Sequence, residues 1–251
     1  MYSRTSKHRG FASAEQTSIV RASVMTLALN RILLWVLMDL ERREASACVA
    51  IQAGKARRLL HIQRGQLVAS ESNLKTERIG DMLVSEGLLD PVLLEPVAAE
   101  AARRKTLLGE QLVTDGLLSR EDLLAAVDRQ VVFRLGAALS MRGVVTVDSL
   151  SSAPTTLQVS LTAAVATAFR SWVPLAVIES ELMASAEEAE EPMPLDESAP
   201  AFGLLELGPA ELRLARKLAK GARLNELLES GAPREPVLRL VGALRAVGLW
   251  R

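Results

Sequence analysis

The side chains that could do chemistry are few, and their spacing favours binding over catalysis. The chain holds one cysteine, Cys48, and two histidines, His8 and His61. His61 has no cysteine or carboxylate cluster at ligand spacing, so no metal site is read, and no cofactor is implied. There is no Gly-rich loop ending in Gly-Lys-Ser/Thr, no nucleophile elbow and no histidine pair. Cys48 falls in a segment of strand-like alternation, where a buried, inert thiol is the expectation. What remains is cationic or apolar. Lys55, Arg57, Arg58, His61 and Arg64 crowd one short meander, which is either a solvated face or a phosphate-binding one. Arg213, Arg216, Lys217 and Lys220 recur at helical spacing, so they share one face of a helix near the C-terminus.

The elements that position these groups are organised around one pattern written twice. Residues 78–89 read Arg-Ile-Gly-Asp-Met-Leu-Val-Ser-Glu-Gly-Leu-Leu, and residues 107–118 read Leu-Leu-Gly-Glu-Gln-Leu-Val-Thr-Asp-Gly-Leu-Leu. The offset is 29 positions throughout: Gly80 to Gly109, Leu83 to Leu112, Gly87 to Gly116, Leu94 to Leu123. Each copy opens with apolar residues at helical spacing, so a short amphipathic helix is expected. Gly87 and Gly116 then fall where a left-handed C-cap is needed. A second helix follows each cap, started by Asp90-Pro91 in one copy and by Ser119 with Asp122 in the other. Gly80 and Gly109 lie within the short helices, where glycine costs about 1 kcal/mol relative to alanine. Their recurrence implies a close approach, either between helices or by a ligand, and a local pseudo-twofold between the copies.

Ahead of this unit, residues 1–24 are polar and basic without a sustained period and read as a disordered tail, with Met1 and Met25 both open as the start. They lack the apolar core of a secretory signal. The run Ile32–Met38 is apolar but flanked by Arg31 and Asp39, well short of the ~20 residues that span a bilayer. A buried helix over Leu27–Arg43 is expected, with a membrane-surface helix as the alternative. Period-two alternation then predicts three strands, Ala47–Gln52, Arg57–Gln63 and Gln66–Ser70, joined by turns at Gly54 and Gly65. The helix from Ser119 is expected to run through Gln130 to about Ser140, before a fourth strand at Val144–Val147. Ala153-Pro154 is read as the start of a helix ending near Trp172.

From Glu179 to Ala201 there are eight acidic residues and no lysine or arginine, which reads as a flexible acidic linker over 181–201. Residues 202–251 are expected to form a module of three helices: one from Pro209 to Gly221, one over Leu224–Leu228 and one over Arg234–Val247. That outline is winged-helix-like. It suits DNA binding or protein docking; the third helix has few base-reading side chains and the acidic linker could lie along the basic stripe, which favours docking. Lysine plus arginine equal aspartate plus glutamate at 30 each, so no global charge draws the chain to nucleic acid or membrane. A lone cysteine excludes an internal disulfide and fits a reducing compartment, so a cytoplasmic location is expected. The fold class is therefore α+β: a small antiparallel sheet with a duplicated helical-hairpin subdomain over 77–130, followed by the small helical module.

Residues 25–180 resemble the PatA N-terminal (PATAN) family of bacterial signalling proteins. The likeness is carried by the apolar helix before Ala45-Ser46-Ala47, the hairpin Leu59 to Ser70, Glu71-Ser72-Asn73 and the doubled Gly-x-x-Leu-Val-x-x-Gly-Leu-Leu unit. Family members commonly have Ser-Gly where this chain has Ser46-Ala47. The resemblance implies a non-enzymatic adaptor that works by protein–protein interaction, with other signalling, motility or secretion proteins as partners. The doubled unit is also similar to the N-terminal domain of type II secretion and type IV pilus ATPases (MshEN-like), a subset of which binds cyclic di-GMP through tandem Arg-Leu-Gly-x-x-Leu-Val-x-x-Gly-x-Leu motifs ending in glutamine. By that likeness Arg78, Gly80, Leu108, Gly109 and Gln130 are the candidate ligand contacts. The second motif has Leu107 for arginine and the first has Ala101 for glutamine, so one phosphate-pairing group and one guanine-pairing group are missing.

Overall fold

The computed structural model describes residues 27–149, 158–186 and 195–250. The expected tail over 1–24, the helix start at Ala153-Pro154 and the middle of the expected linker lie outside them. Helix α1 (Arg31–Arg42) is capped by Asn30, whose side-chain oxygen accepts from the Leu33 N–H at 3.0 Å. Strands β1 (Ala47–Ala53), β2 (Ala56–Gln63) and β3 (Gln66–Ser72) form the expected meander. A 3-10 turn (Lys75–Glu77) leads into α2 (Ile79–Ser85), α3 (Pro91–Arg104), α4 (Leu108–Thr114) and the 20-residue α5 (Arg120–Leu139). Strand β4 (Val144–Asp148) and the two-residue β5 (Val159–Ser160) complete an antiparallel sheet of order β4-β1-β2-β3-β5 among the described residues. The chain is α+β.

Two hydrophobic cores result. The larger lies under the sheet, where Val49, Ile51, Leu60, Ile62 and Leu67 meet Leu33 and Leu37 of α1 and the second half of α5. The smaller is built from Leu83, Leu89, Val97, Leu112, Leu118 and Ala126. Its composition follows the sequence pattern: Leu83 and Leu89 recur 29 positions on as Leu112 and Leu118, and Ala126 stands at the same offset from Val97. Helix α5 joins the two cores, giving Leu123 and Ala126 to the small one and Val131, Leu135, Ala138 and Leu139 to the large one.

The caps fall where the sequence places them. Asp90 accepts from the Val92 N–H at 2.9 Å, and the Ser119 hydroxyl accepts from the Asp122 N–H at 3.0 Å. Gly87 and Gly116 have φ of 71° and 69°, and a Cβ at either would meet no atom within 4 Å. Glycine is needed there for its backbone conformation alone. Gly80 and Gly109 differ: a Cβ would lie 2.5 Å from Leu94 Cδ1 in the first and 2.7 Å from Leu123 Cδ1 in the second. The close approach is therefore made by a leucine of the following helix.

Beyond β5 the structure departs from the sequence expectation. Helix α6 (Leu161–Ser171) starts at Leu161 with Ser160 as its cap. Helix α7 (Leu175–Ala186) carries the chain into the acidic segment, so residues 181–186 are helical and not part of a flexible linker. Its Val177, Ile178 and Leu182 are buried in the large core, and that apolar stripe outweighs the acidic composition. Glu179 and Glu181 are ion-paired with Arg234 and Arg31 at 3.1 and 2.8 Å. Then come α8 (Pro200–Gly203), α9 (Pro209–Ala219), α10 (Leu224–Glu229) and α11 (Arg234–Ala246). Helix α11 packs on α6 and α7, and its Val237, Leu238, Leu240, Val241 and Leu244 are buried in the same core as the sheet. Arg170 of α6 grips Glu211 of α9 through two 2.8 Å hydrogen bonds and donates to the Leu205 carbonyl. Arg239 of α11 donates to the Phe169 and Val173 carbonyls at the end of α6. The C-terminal helices thus share one continuous core with the sheet.

Two glycine substitutions separate backbone from packing effects. Gly116→Val, with open space for the side chain but a positive φ, is expected to cost at least about 1–2 kcal/mol. Gly109→Leu must displace Leu123 and is expected to cost more. Thermal melts of the two variants check the order.

Candidate functional site

The candidate residues converge where the small core meets the sheet. Gln130 and Arg134 lie one turn apart on α5 and reach the same carbonyl. Gln130 Nε2 donates to the Glu77 carbonyl oxygen at 2.7 Å and Arg134 Nη2 donates to it at 2.8 Å. Arg134 Nη1 donates to the Ser70 carbonyl at 2.7 Å, which ties α5 to β3 as well. The Glu77 carboxylate faces Arg58 of β2, whose Nε lies 3.1 Å from both oxygens and whose Nη2 completes a fork. Arg58 Nη1 contacts Met141 Sδ at 3.0 Å. Arg58, Glu77 and Gln130 are buried, and burial holds the Arg134 guanidinium below its usual range. A buried fork between an arginine and a carboxylate persists only when both partners are present and hydrogen-bonded. This node fixes the 3-10 turn, and through it the angle at which α2 leaves the sheet.

Each candidate residue has a definite place around the node. Arg78 follows Glu77, adopts extended backbone as the N-cap of α2, and is exposed with no side-chain partner among the described residues. Leu108 of the second copy lies against Gly80 of the first, 2.9 Å from where a Cβ would sit. The space beside Gly109 is filled by Leu123. Gln130 uses its amide nitrogen on Glu77, one residue before Arg78. So Gln130 holds the turn that presents Arg78, and Arg78 is the one charged candidate of this group left open to solvent.

The two cationic clusters fare differently. In the meander, Lys55, Arg57 and Arg64 are exposed, but Arg58 and His61 are buried, so this is not one continuous basic face. Arg58 alternates inward opposite Ile51 and is neutralised by Glu77. His61 Nε2 lies 2.9 Å from Glu71 Oε1. Cys48, opposite His61, is half-buried, and burial followed by the charge of Glu71 pushes its thiol up, away from the reactive thiolate. Arg213, Arg216 and Lys217 on α9 and Lys220 at its C-cap all stand exposed, without an ion pair among the described residues. Helix α11, which would be the recognition helix of a winged-helix reading, is the buried one, and its apolar face is committed to α6 and α7.

Sequence reasoning missed Glu77 and Arg134. Arg134 carried a signal, since it lies four residues after Gln130 on the same helix face. Glu77 carried none, because its partner Arg58 is set by tertiary packing alone.

Comparison of the chain with family models, with curated proteins and with solved structures returned no match in any of the three.

The node makes a stability prediction. Glu77→Gln leaves Arg58 buried without a counter-charge, at an expected cost of about 3–5 kcal/mol. Gln130→Leu removes one of two donors to a carbonyl and is expected to cost about 1–3 kcal/mol. Urea titrations of the two variants give the ranking.

Proposed function

We propose that the chain is a non-catalytic signalling adaptor of the PATAN type, acting by protein–protein interaction in a bacterial cytoplasm. In this reading residues 77–130 form a duplicated helical-hairpin subdomain that is presented rigidly by the sheet and recognises a partner. The observation that carries it is the apolar surface the unit leaves outside its own core. Val92 and Leu107 are 76% and 72% exposed, and Leu88, Leu117 and Leu124 are exposed with them. Leu88 and Leu117 are related by the 29-residue offset. Exposed apolar side chains on a small, well-capped helical unit suit a helical or extended partner segment.

A second reading, cyclic di-GMP binding at the same unit, is favoured by one observation: Arg78 stands free at the mouth of α2. A phosphate could pair with it. The engagement of Gln130 with Glu77 weighs against a guanine contact there. DNA binding through a winged-helix-like C-terminal module has only the basic stripe of α9 in its favour, since α11 is buried.

The test is a pull-down from the native cell with the wild-type chain and with Val92→Glu/Leu107→Glu, both exposed sites. The adaptor reading expects an unchanged melt and loss of the partner from the variant. A partner retained by the variant overturns the assignment of this surface. Calorimetry with cyclic di-GMP separates the second reading, which expects heat that Arg78→Ala removes; no heat at about 100 μM protein, far above a micromolar Kd, excludes it.

A further inference from the structure

Among the described residues the sheet stops unfinished at one edge. Strand β4 is the outer strand of the sheet and pairs only with β1 among the described residues. Its sequence, Val-Val-Thr-Val-Asp, carries no lysine, proline or bulge, the usual devices that protect a free edge. Val144 is 69% exposed and Val147 is exposed on the helix side of the sheet. Ile32 and Trp35, neighbours at i and i+3 on α1, are 66% and 65% exposed. Ile32 borders one groove with Arg142 and Gly143, so the start of α1 adjoins the residues that lead into β4. Leu27, also exposed, pairs with Met141 at the same edge. An unpaired, unprotected strand with exposed valines offers its backbone N–H and C=O groups to another strand.

We infer that this edge joins a second copy of the chain, β4 against β4 in antiparallel register. An antiparallel strand pairs with itself across a twofold axis, so the edge needs no other surface to be complementary. The charges select the register. With Val145 on the axis, Val144 faces Thr146 of the other copy and Arg142 faces Asp148. Arg142 and Asp148 are exposed and have no ion-pair partner among the described residues of their own chain. Each dimer then gains two Arg142–Asp148 pairs. This goes beyond the adaptor function and does not depend on it, because the edge lies outside the 77–130 unit.

Sedimentation equilibrium of the full chain, up to about 100 μM, tests the dimer against the 27.1 kDa monomer. The wild type is expected to sediment at twice the monomer mass. Thr146→Lys, a change at an exposed edge position, is expected to return it to monomer with an unchanged circular dichroism spectrum and a melt that no longer depends on concentration. Arg142→Asp and Asp148→Arg each oppose like charges and are expected to weaken dimerisation roughly tenfold or more, since two pairs are lost at once. The combined swap Arg142→Asp/Asp148→Arg restores opposite charges and is expected to restore the dimer. A monomeric wild type overturns the proposal. So does a dimer that Thr146→Lys leaves intact, or one in which the swap is no better than its single changes.

Discussion

The rest of the structure depends on the fork between Arg58 and Glu77, two buried charges from segments 19 residues apart. Neither charge is tolerable alone in an apolar setting. Together they anchor the 3-10 turn to the sheet, and Gln130 and Arg134 bind the same turn to α5. Sheet, turn and long helix are thereby held at one point. The two cores on either side share only α5, so without this point the small core would hang on a single rod. The node turns two apolar clusters into one oriented object. That orientation is what the proposed adaptor surface would need, because binding to a mobile platform costs ordering entropy that a rigid one has already met.

What the sequence made legible was the local and the periodic. The strands of the meander follow from period-two alternation. The caps of α3 and α5 follow from Asp90-Pro91 and Ser119, and the doubled motif contains Leu83, Leu89, Leu112 and Leu118 of the small core. What stayed hidden depends on long-range contact. Strand β5 is two residues long and exists only as a partner of β3. Helix α7 sits in an acidic stretch, and its burial is decided by α11, far along the chain. The basic residues of the meander illustrate the same limit. Arg57 and Arg58 are neighbours of one type, but strand pleating sends one to solvent and the other to Glu77.

The candidate site was legible as a place more than as a set of roles. Arg78, Gly80, Leu108 and Gln130 do meet near the start of α2, yet two of them serve the scaffold. Gly80 makes room for Leu94 and Leu108, and Gln130 holds a carbonyl. A glycine and a glutamine recurring in a binding motif and a glycine and a glutamine needed by a helical hairpin leave the same trace in one sequence. Only the partner of each side chain distinguishes them. The C-terminal helices show the converse. Their outline suggests a free module, but Arg170 and Arg239 seal them to α6, and α11 supplies part of the main core.

The central claim is that the polar node couples two otherwise separate cores. Amide hydrogen exchange on the full chain, wild type against Gln130→Leu/Arg134→Leu, tests it most directly, because exchange reports local opening region by region. The account predicts faster exchange in residues 79–114 of the variant while the amides of β1 and β2 keep their protection. Equal acceleration in both regions, or none in 79–114, would contradict it.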